Sequence, residues 1–348
     1  MLIRNYTLGF VTPAFLGNAE QAGQWRTPPI KALLRQWWRV AYWADQGTDV
    51  GAMRAAEGRL FGVAADGEGD SRKSLVRIRL NQWDKGRLTS MAGLDSRRVP
   101  HPEVKAPVGA MLYLGYGPLV FSQGQTALKA GAAIQADENA GLSLAFPAGA
   151  EAARLDQALW LLHQYGALGG RSRNGWGSFS LLPTDDATPA LAGPLDEGLT
   201  SNWQDALKLD WPHAIGRDGL GPLIWQTELL ADWKLVMRRL AEIKIGLRTQ
   251  FVFPNVQPPH PQPLPRHWLS YPITRHSTTA WDRNARLPNS LRFKVRADSD
   301  GRLRGVIFHV PCLPPPQFRP DRQAITKVWQ QVHAYLDEAA QNLQRTAA

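Results

Sequence analysis

A chain of 348 residues, 44% of them hydrophobic, is long enough for two ordinary domains with real cores, which excludes a disordered tail or a small disulfide-stapled module. Forty Lys and Arg against thirty Asp and Glu leave a net charge of +10, and with fourteen Trp they point to a polyanionic partner, a nucleic acid or an anionic surface. The single cysteine, Cys312, excludes a disulfide framework and a cysteine-rich zinc site and fits a reducing cytoplasm; no apolar run approaches about twenty residues, so a soluble protein without signal peptide or membrane span is expected.

Residues 2 to 11 are β-branched and aromatic up to Thr12-Pro13, which predicts a first strand. A loop then leads into the stretch from Trp25 to Tyr42. Thr27 can cap, Pro28 and Pro29 suit a first turn, and the next twelve positions hold neither Gly nor Pro, so a helix is predicted from near Pro29. Ile30, Leu33, Leu34, Trp37 and Ala41 share its core face. Lys31, Arg35, Trp38 and Tyr42 fall on the opposite side, flanked by Arg39 and preceded by Arg26. Read as exposed, that line of cations and rings suits a phosphate chain with stacked bases; read blandly, it is a solvated face.

Ala52 to Phe61 predicts a shorter helix closed by Gly62, followed by an acidic, Gly-rich loop from Ala64 to Asp70. Between Ser74 and Leu80, Val76, Ile78 and Leu80 alternate with Arg77 and Arg79, a strand with a basic open face. Residues 85 to 107 read as a basic loop or extended hairpin, and Met111 to Tyr116 and Leu142 to Phe146 as further strands. Glu151 to Tyr165 is a second helix. Its end runs into Gly166-Ala-Leu-Gly169-Gly170-Arg171-Ser172-Arg173-Asn174-Gly175-Trp176-Gly177-Ser178, whose glycines permit positive φ and close backbone approach and can expose N–H groups as an anion nest. Arg171 and Arg173 add planar forks for phosphate and Trp176 a stacking face; a tight helix-to-strand connection is the plain alternative.

Residues 185 to 198 read as a linker rich in Pro, Ala, Gly and acids. Trp225 to Thr249 holds a long helix with Leu229, Leu230, Trp233, Val236, Met237 and Leu240 as its stripe and Lys234, Arg238, Arg239, Lys244 and Arg248 outside. The Pro-rich insertion 254 to 265 must be extended. Leu291 to Val310 predicts a hairpin whose Arg292, Lys294 and Arg296 form a basic face, and Asp321 to Leu343 a closing helix. Strand-helix-strand groupings in each half predict an α+β fold of two ferredoxin-like (RRM-like) domains, 1–184 and 199–348, each with helices on one side of a sheet.

Thr12-Pro13-Ala14-Phe15-Leu16-Gly17, the helix from Pro28 to Arg39, Glu57-Gly-Arg-Leu-Phe61-Gly62 and the loop Gly166 to Ser178 occur in an order that resembles the first RAMP subunit of the type III-B CRISPR effector, the Cmr complex. Arg266-His267-Trp268-Leu269-Ser270-Tyr271-Pro272 and Leu287 to Val295 resemble that family more loosely. Ala32 stands where the family usually has Gly, and Asn174 where a third basic residue is common. The resemblance implies the same two-domain architecture and a non-catalytic subunit holding the 3′ side of the guide RNA (crRNA), with target RNA and other RAMP subunits as partners, no cofactor and no metal. The expected RNA contacts are Arg26, Lys31, Arg35, Trp38, Arg39 and Tyr42 from the helix and Gly169, Gly170, Arg171, Ser172, Arg173, Asn174 and Trp176 from the loop. The alternatives are a metal-independent RAMP-type ribonuclease, with His163 as general base, and a structural cap that touches no RNA.

Overall fold

A computed structural model describes residues 1–47, 49–64 and 71–346; the acidic loop expected at 64–70 therefore lies almost wholly outside the described residues. The first strand, β1 (Leu2–Phe10), leads to α1 (Thr27–Gln46), α2 (Val50–Phe61), β2 (Arg77–Leu80), α3 (Ala110–Gly115), β3 (Asn139–Phe146), α4 (Ala150–Tyr165) and β4 (Phe179–Pro183). The second half contributes β5 (Ile224–Gln226), α5 (Trp233–Thr249), α6 (Pro265–Leu269), β6 (Leu291–Ala297), β7 (Leu303–His309), α7 (Arg322–Asp337) and β8 (Gln344–Arg345). The two four-stranded sheets run β2-β3-β1-β4 and β6-β7-β5-β8, antiparallel throughout. Each is the order of a β-α-β-β-α-β unit, so the fold is α+β with the ferredoxin-like arrangement occurring twice.

The register shows how the halves meet. In the first sheet Leu80, Leu142 and Tyr6 lie in one row and Ala140, Leu8 and Leu181 in another, all facing α1 and α4. Arg77 and Arg79 point to the opposite, open face as the alternation predicts. In the second sheet the rows Arg292–Phe308–Ile224 and Lys294–Val306–Gln226 also face α1 and α4, while Phe293, Val295, Ile307 and Trp225 pack on α5 and α7. The order of layers is sheet, helices, sheet, helices, and α1 is enclosed from both sides. The basic hairpin face expected to be open is therefore buried. Arg292 lies over the Trp37 ring at 5.7 Å, and Lys294 Nζ donates to the carbonyls of Leu162 and His163 at the C-terminus of α4. Orphan carbonyls at a helix end are natural acceptors for a cation.

Other local expectations are also corrected. Met111 to Tyr116 is mostly helix, because its apolar residues pack against α5 rather than pairing as a strand. Leu229 and Leu230 precede α5, whose start is set by Asp232 accepting from Leu235 N. Thr27 makes no capping bond; Arg26 occupies the cap position. The closing helix starts within a residue of the expected position, at Arg322 with Asp321 as its cap, but ends at Asp337, and the chain then returns as β8.

Candidate nucleic-acid interface

The α1 line is not the exposed ladder that the spacing implied. Trp38 is 0% and Tyr42 7% exposed, with Trp38 packed edge-on against Phe61 of α2 and its Nε1 donating to Glu151. Burying an indole of roughly 200 Å² at about 25 cal/mol per Å² contributes on the order of 5 kcal/mol, more than the roughly 1–3 kcal/mol of one stacked base, so Trp38 stays in the core. Arg35 and Arg39 both donate to Glu57, itself 2% exposed, with Arg39 making two bonds of 2.8 and 3.0 Å. Burial pushes the Glu57 carboxyl up, but the bonds from Arg35 and Arg39 outweigh it and the net shift is downward. Arg26 is tied to the Gly17 carbonyl. Lys31 is half-buried, and its pKa is lowered by burial and then by Arg35.

In the Gly-rich loop the glycines serve packing more than anion capture. A Cβ on Gly169, at φ +92°, would come within 2.6 Å of the Phe15 carbonyl, and the N–H groups of Gly170 and Gly177 donate to Phe15 O and Pro13 O. These N–H groups form no open nest. Trp176 is 0% exposed, 4.9 Å from the Phe15 ring, and offers no face to a base. Arg173 donates to the Asn289 carbonyl at 2.6 Å. Asn174 is buried and bridges Leu114 O and the Lys244 ammonium. Arg171, held at φ +58°, is exposed and has no hydrogen-bonded acceptor among the described residues.

Arg171 opens into a cleft of about 720 Å³ between the loop, α5 and the segment after α6. Lys244, Arg248, Arg266 and Arg275 converge on the same space, with Glu103 as the carboxylate among the lining residues. Arg248 donates to Ser270 Oγ at 2.8 Å, and Arg266 pairs with Glu103 at 2.5 Å while lying over the Phe253 ring. Burial, then the charges of Arg248 and Arg171, hold the Lys244 ammonium well below its usual pKa; an entering anion would reverse that shift. Aromatic faces line the same walls: Tyr116 is 59% exposed, Tyr113 sits edge-on to His101, and Phe253 stacks on His276 at 3.7 Å. Cations spaced along a cleft with rings between them match a phosphate backbone carrying bases. None of the lining residues comes from α1, so the helix and the loop do not share this cleft.

Lys244 and Arg248 were visible in the sequence as one-turn neighbours outside the α5 stripe. Nothing local announced that Arg266 and Arg275 would fold over them. His163 is committed elsewhere: its Nδ1 accepts from Leu181 N at 3.0 Å, and burial, then Lys294 and Arg296, lower its pKa to about 4. No described helix is long and apolar enough to cross a membrane, and no group of three His, Cys, Asp or Glu suited to a metal occurs among the described residues.

A tandem ferredoxin-like α+β protein with a Gly-rich loop at the rim of a basic cleft is the class that these features define. The RAMP superfamily model matches residues 7–180, half of the chain, and the protein belongs to that superfamily. Among solved structures the chain is similar to Cmr1 from Pyrococcus furiosus in its apo form, at 15% identity over 97% of this chain and 98% of that one, with a TM-score of 0.48. It is also similar to a chain of a type III-B Cmr-beta assembly bound to cognate target RNA and AMPPnP in the presence of ssDNA, at 11% identity over 96% and 99%, with a TM-score of 0.50. At such identities the second likeness shows the fold. No curated protein matches the sequence.

Proposed function

We propose that this chain is a RAMP subunit of a type III-B CRISPR effector complex that binds RNA by its backbone without cutting it, with crRNA, target RNA and neighbouring RAMP subunits as partners. Membership of the RAMP superfamily and the motif order from Thr12 to Ser178 support the assignment to the complex. So does the fold likeness to a chain in an assembly described as bound to target RNA. The observation that carries RNA binding is the convergence of Arg171, Lys244, Arg248, Arg266 and Arg275 against the single carboxylate of Glu103 among the cleft's lining residues. Such a site neutralises phosphates without reading base edges, so affinity depends on salt and little on sequence, and base pairing between guide and target supplies the specificity. The units 1–184 and 199–348 would each contribute one wall, the loop from the first and α5 with residues 266 to 276 from the second.

Binding of single-stranded RNA across a salt series tests this. Arg171 and Arg275 are exposed, so Arg171→Ala with Arg275→Ala should leave the fold intact while reducing the slope of log K against log salt by about 1.4, at roughly 0.7 per lost phosphate contact. The RNA should remain whole on a denaturing gel. An unchanged affinity and slope in the double variant would remove the cleft as the interface.

A further inference from the structure

Behind the Gly-rich loop lies a smaller cavity of about 140 Å³, bounded by Arg173, Ser290, Arg292, Cys312, Trp268 and Trp329. Its walls are mostly apolar, yet two guanidinium groups reach it. Arg292 is 9% exposed and its Nε has no partner among the described residues. Arg173, with one Nη bonded to Asn289 O, retains N–H donors on the rest of its fork. Burial, and then the charge of Arg173, lower the Arg292 pKa to about 9, so it stays protonated at neutral pH, whereas burial raises that of the Cys312 thiol, which stays neutral. Ser290 is engaged with His309 at 3.0 Å, and His309 is itself held neutral by burial and by His333. The acidic residue on the lining is Asp210, exposed and in no ion pair among the described residues.

Two desolvated cations facing one cavity are costly. A buried charge without a counter-charge loses its hydration and regains little in return, and the Trp37 ring under Arg292 offsets only part of that loss. An oxyanion received by both forks would remove the penalty, since planar guanidinium groups match tetrahedral oxygens two at a time. The space exceeds the roughly 30 Å³ share of a single water several times over, which admits a phosphate group but no length of polymer.

We propose that this cavity binds a phosphate monoester group, its oxygens held by Arg292 and Arg173 and its substituent lying against Trp268 and Trp329. A free phosphate ester and the phosphorylated end of an RNA strand present the same chemistry. The proposal does not depend on the cleft as an RNA interface, because inorganic phosphate is a sufficient probe.

Cys312 is the only cysteine of the chain and lines the cavity, so its rate of modification by a small neutral thiol reagent reports occupancy in the full-length protein. Inorganic phosphate should slow modification severalfold and saturably relative to chloride at equal ionic strength. Asp210→Asn, which removes the rival charge at an exposed position, should strengthen the protection. Arg292→Gln, with folding checked by near-UV circular dichroism, should abolish it. AMP and short RNAs ending in phosphate or hydroxyl then separate the two sources: protection by AMP alone assigns a free ester, and better protection by phosphate-ended RNA assigns a strand end. Equal modification rates in phosphate and chloride, for the parent and for Asp210→Asn, would overturn the proposal whatever the fate of Arg292→Gln. So would protection by hydroxyl-ended RNA with none by phosphate.

Discussion

Glu57→Gln tests whether the cations of α1 are structural. The Glu57 carboxylate, 2% exposed, receives Arg35 Nε and both Nε and Nη2 of Arg39, and so fastens α2 to α1. Charge-assisted bonds to a buried carboxylate are each worth roughly 1.5–3 kcal/mol, but the sum overstates the loss. The arginine side chains are 43% and 30% exposed and can rehydrate, and Gln can still accept one or two weaker bonds. A net loss of about 2–3 kcal/mol is expected, below the roughly 3–5 kcal/mol of breaking a fully buried pair. Equilibrium urea unfolding followed by Trp fluorescence measures it, with Trp38 next to the affected contact. Replacing Arg35, Arg39 and Glu57 together by Met should recover most of the loss, since no buried charge is then left without its partner. A Glu57→Gln variant within about 0.5 kcal/mol of the parent, the size of an ordinary surface substitution, would refute the reasoning and return Arg35 and Arg39 to the pool of groups free to meet a phosphate.

Gly177→Ala should cost at least about 3 kcal/mol or prevent folding, because the position has φ +66° and its new Cβ would drive into the Leu168 carbonyl; soluble yield and urea unfolding report it. Acid should destabilise the protein in a defined window. His163 and His333 are held neutral in the folded state by burial, with pKa values lowered to about 4 and about 3, while the unfolded chain takes up protons near pH 6.5. Both groups bind fewer protons folded than unfolded, so stability falls as pH drops from about 6.5 towards 4. Urea midpoints across that range check it, and His163→Asn should flatten part of the dependence.

The sequence carried the hydrophobic frame well. The period-2 alternation of Val76 to Leu80, the proline-started α1 and the Asp321-capped α7 are local matters, and neighbouring residues determined them. The motif order from Thr12 to Ser178 likewise pointed to the superfamily that the family model matches. Tertiary packing decided the exposure of polar and aromatic side chains, which no local pattern contains. At about 100° per residue Trp38 and Tyr42 stand only about 40° and 80° from Leu34, at the edge of the core stripe and not opposite it. Trp38 packs on Phe61 of α2 along that edge, so both rings became core, and the free side of α1 fell to Ala32 and Gln36. Arg292 and Lys294 alternate as a solvent-facing strand would, yet the face they share is the one laid on α1 and α4. The cleft was the least legible feature of all. Arg171, Lys244, Arg266 and Arg275 are scattered over more than a hundred positions, and only the folding of the second unit against the Gly-rich loop brings their like charges into one space. Charge density depends on distance through space, and sequence separation does not report it.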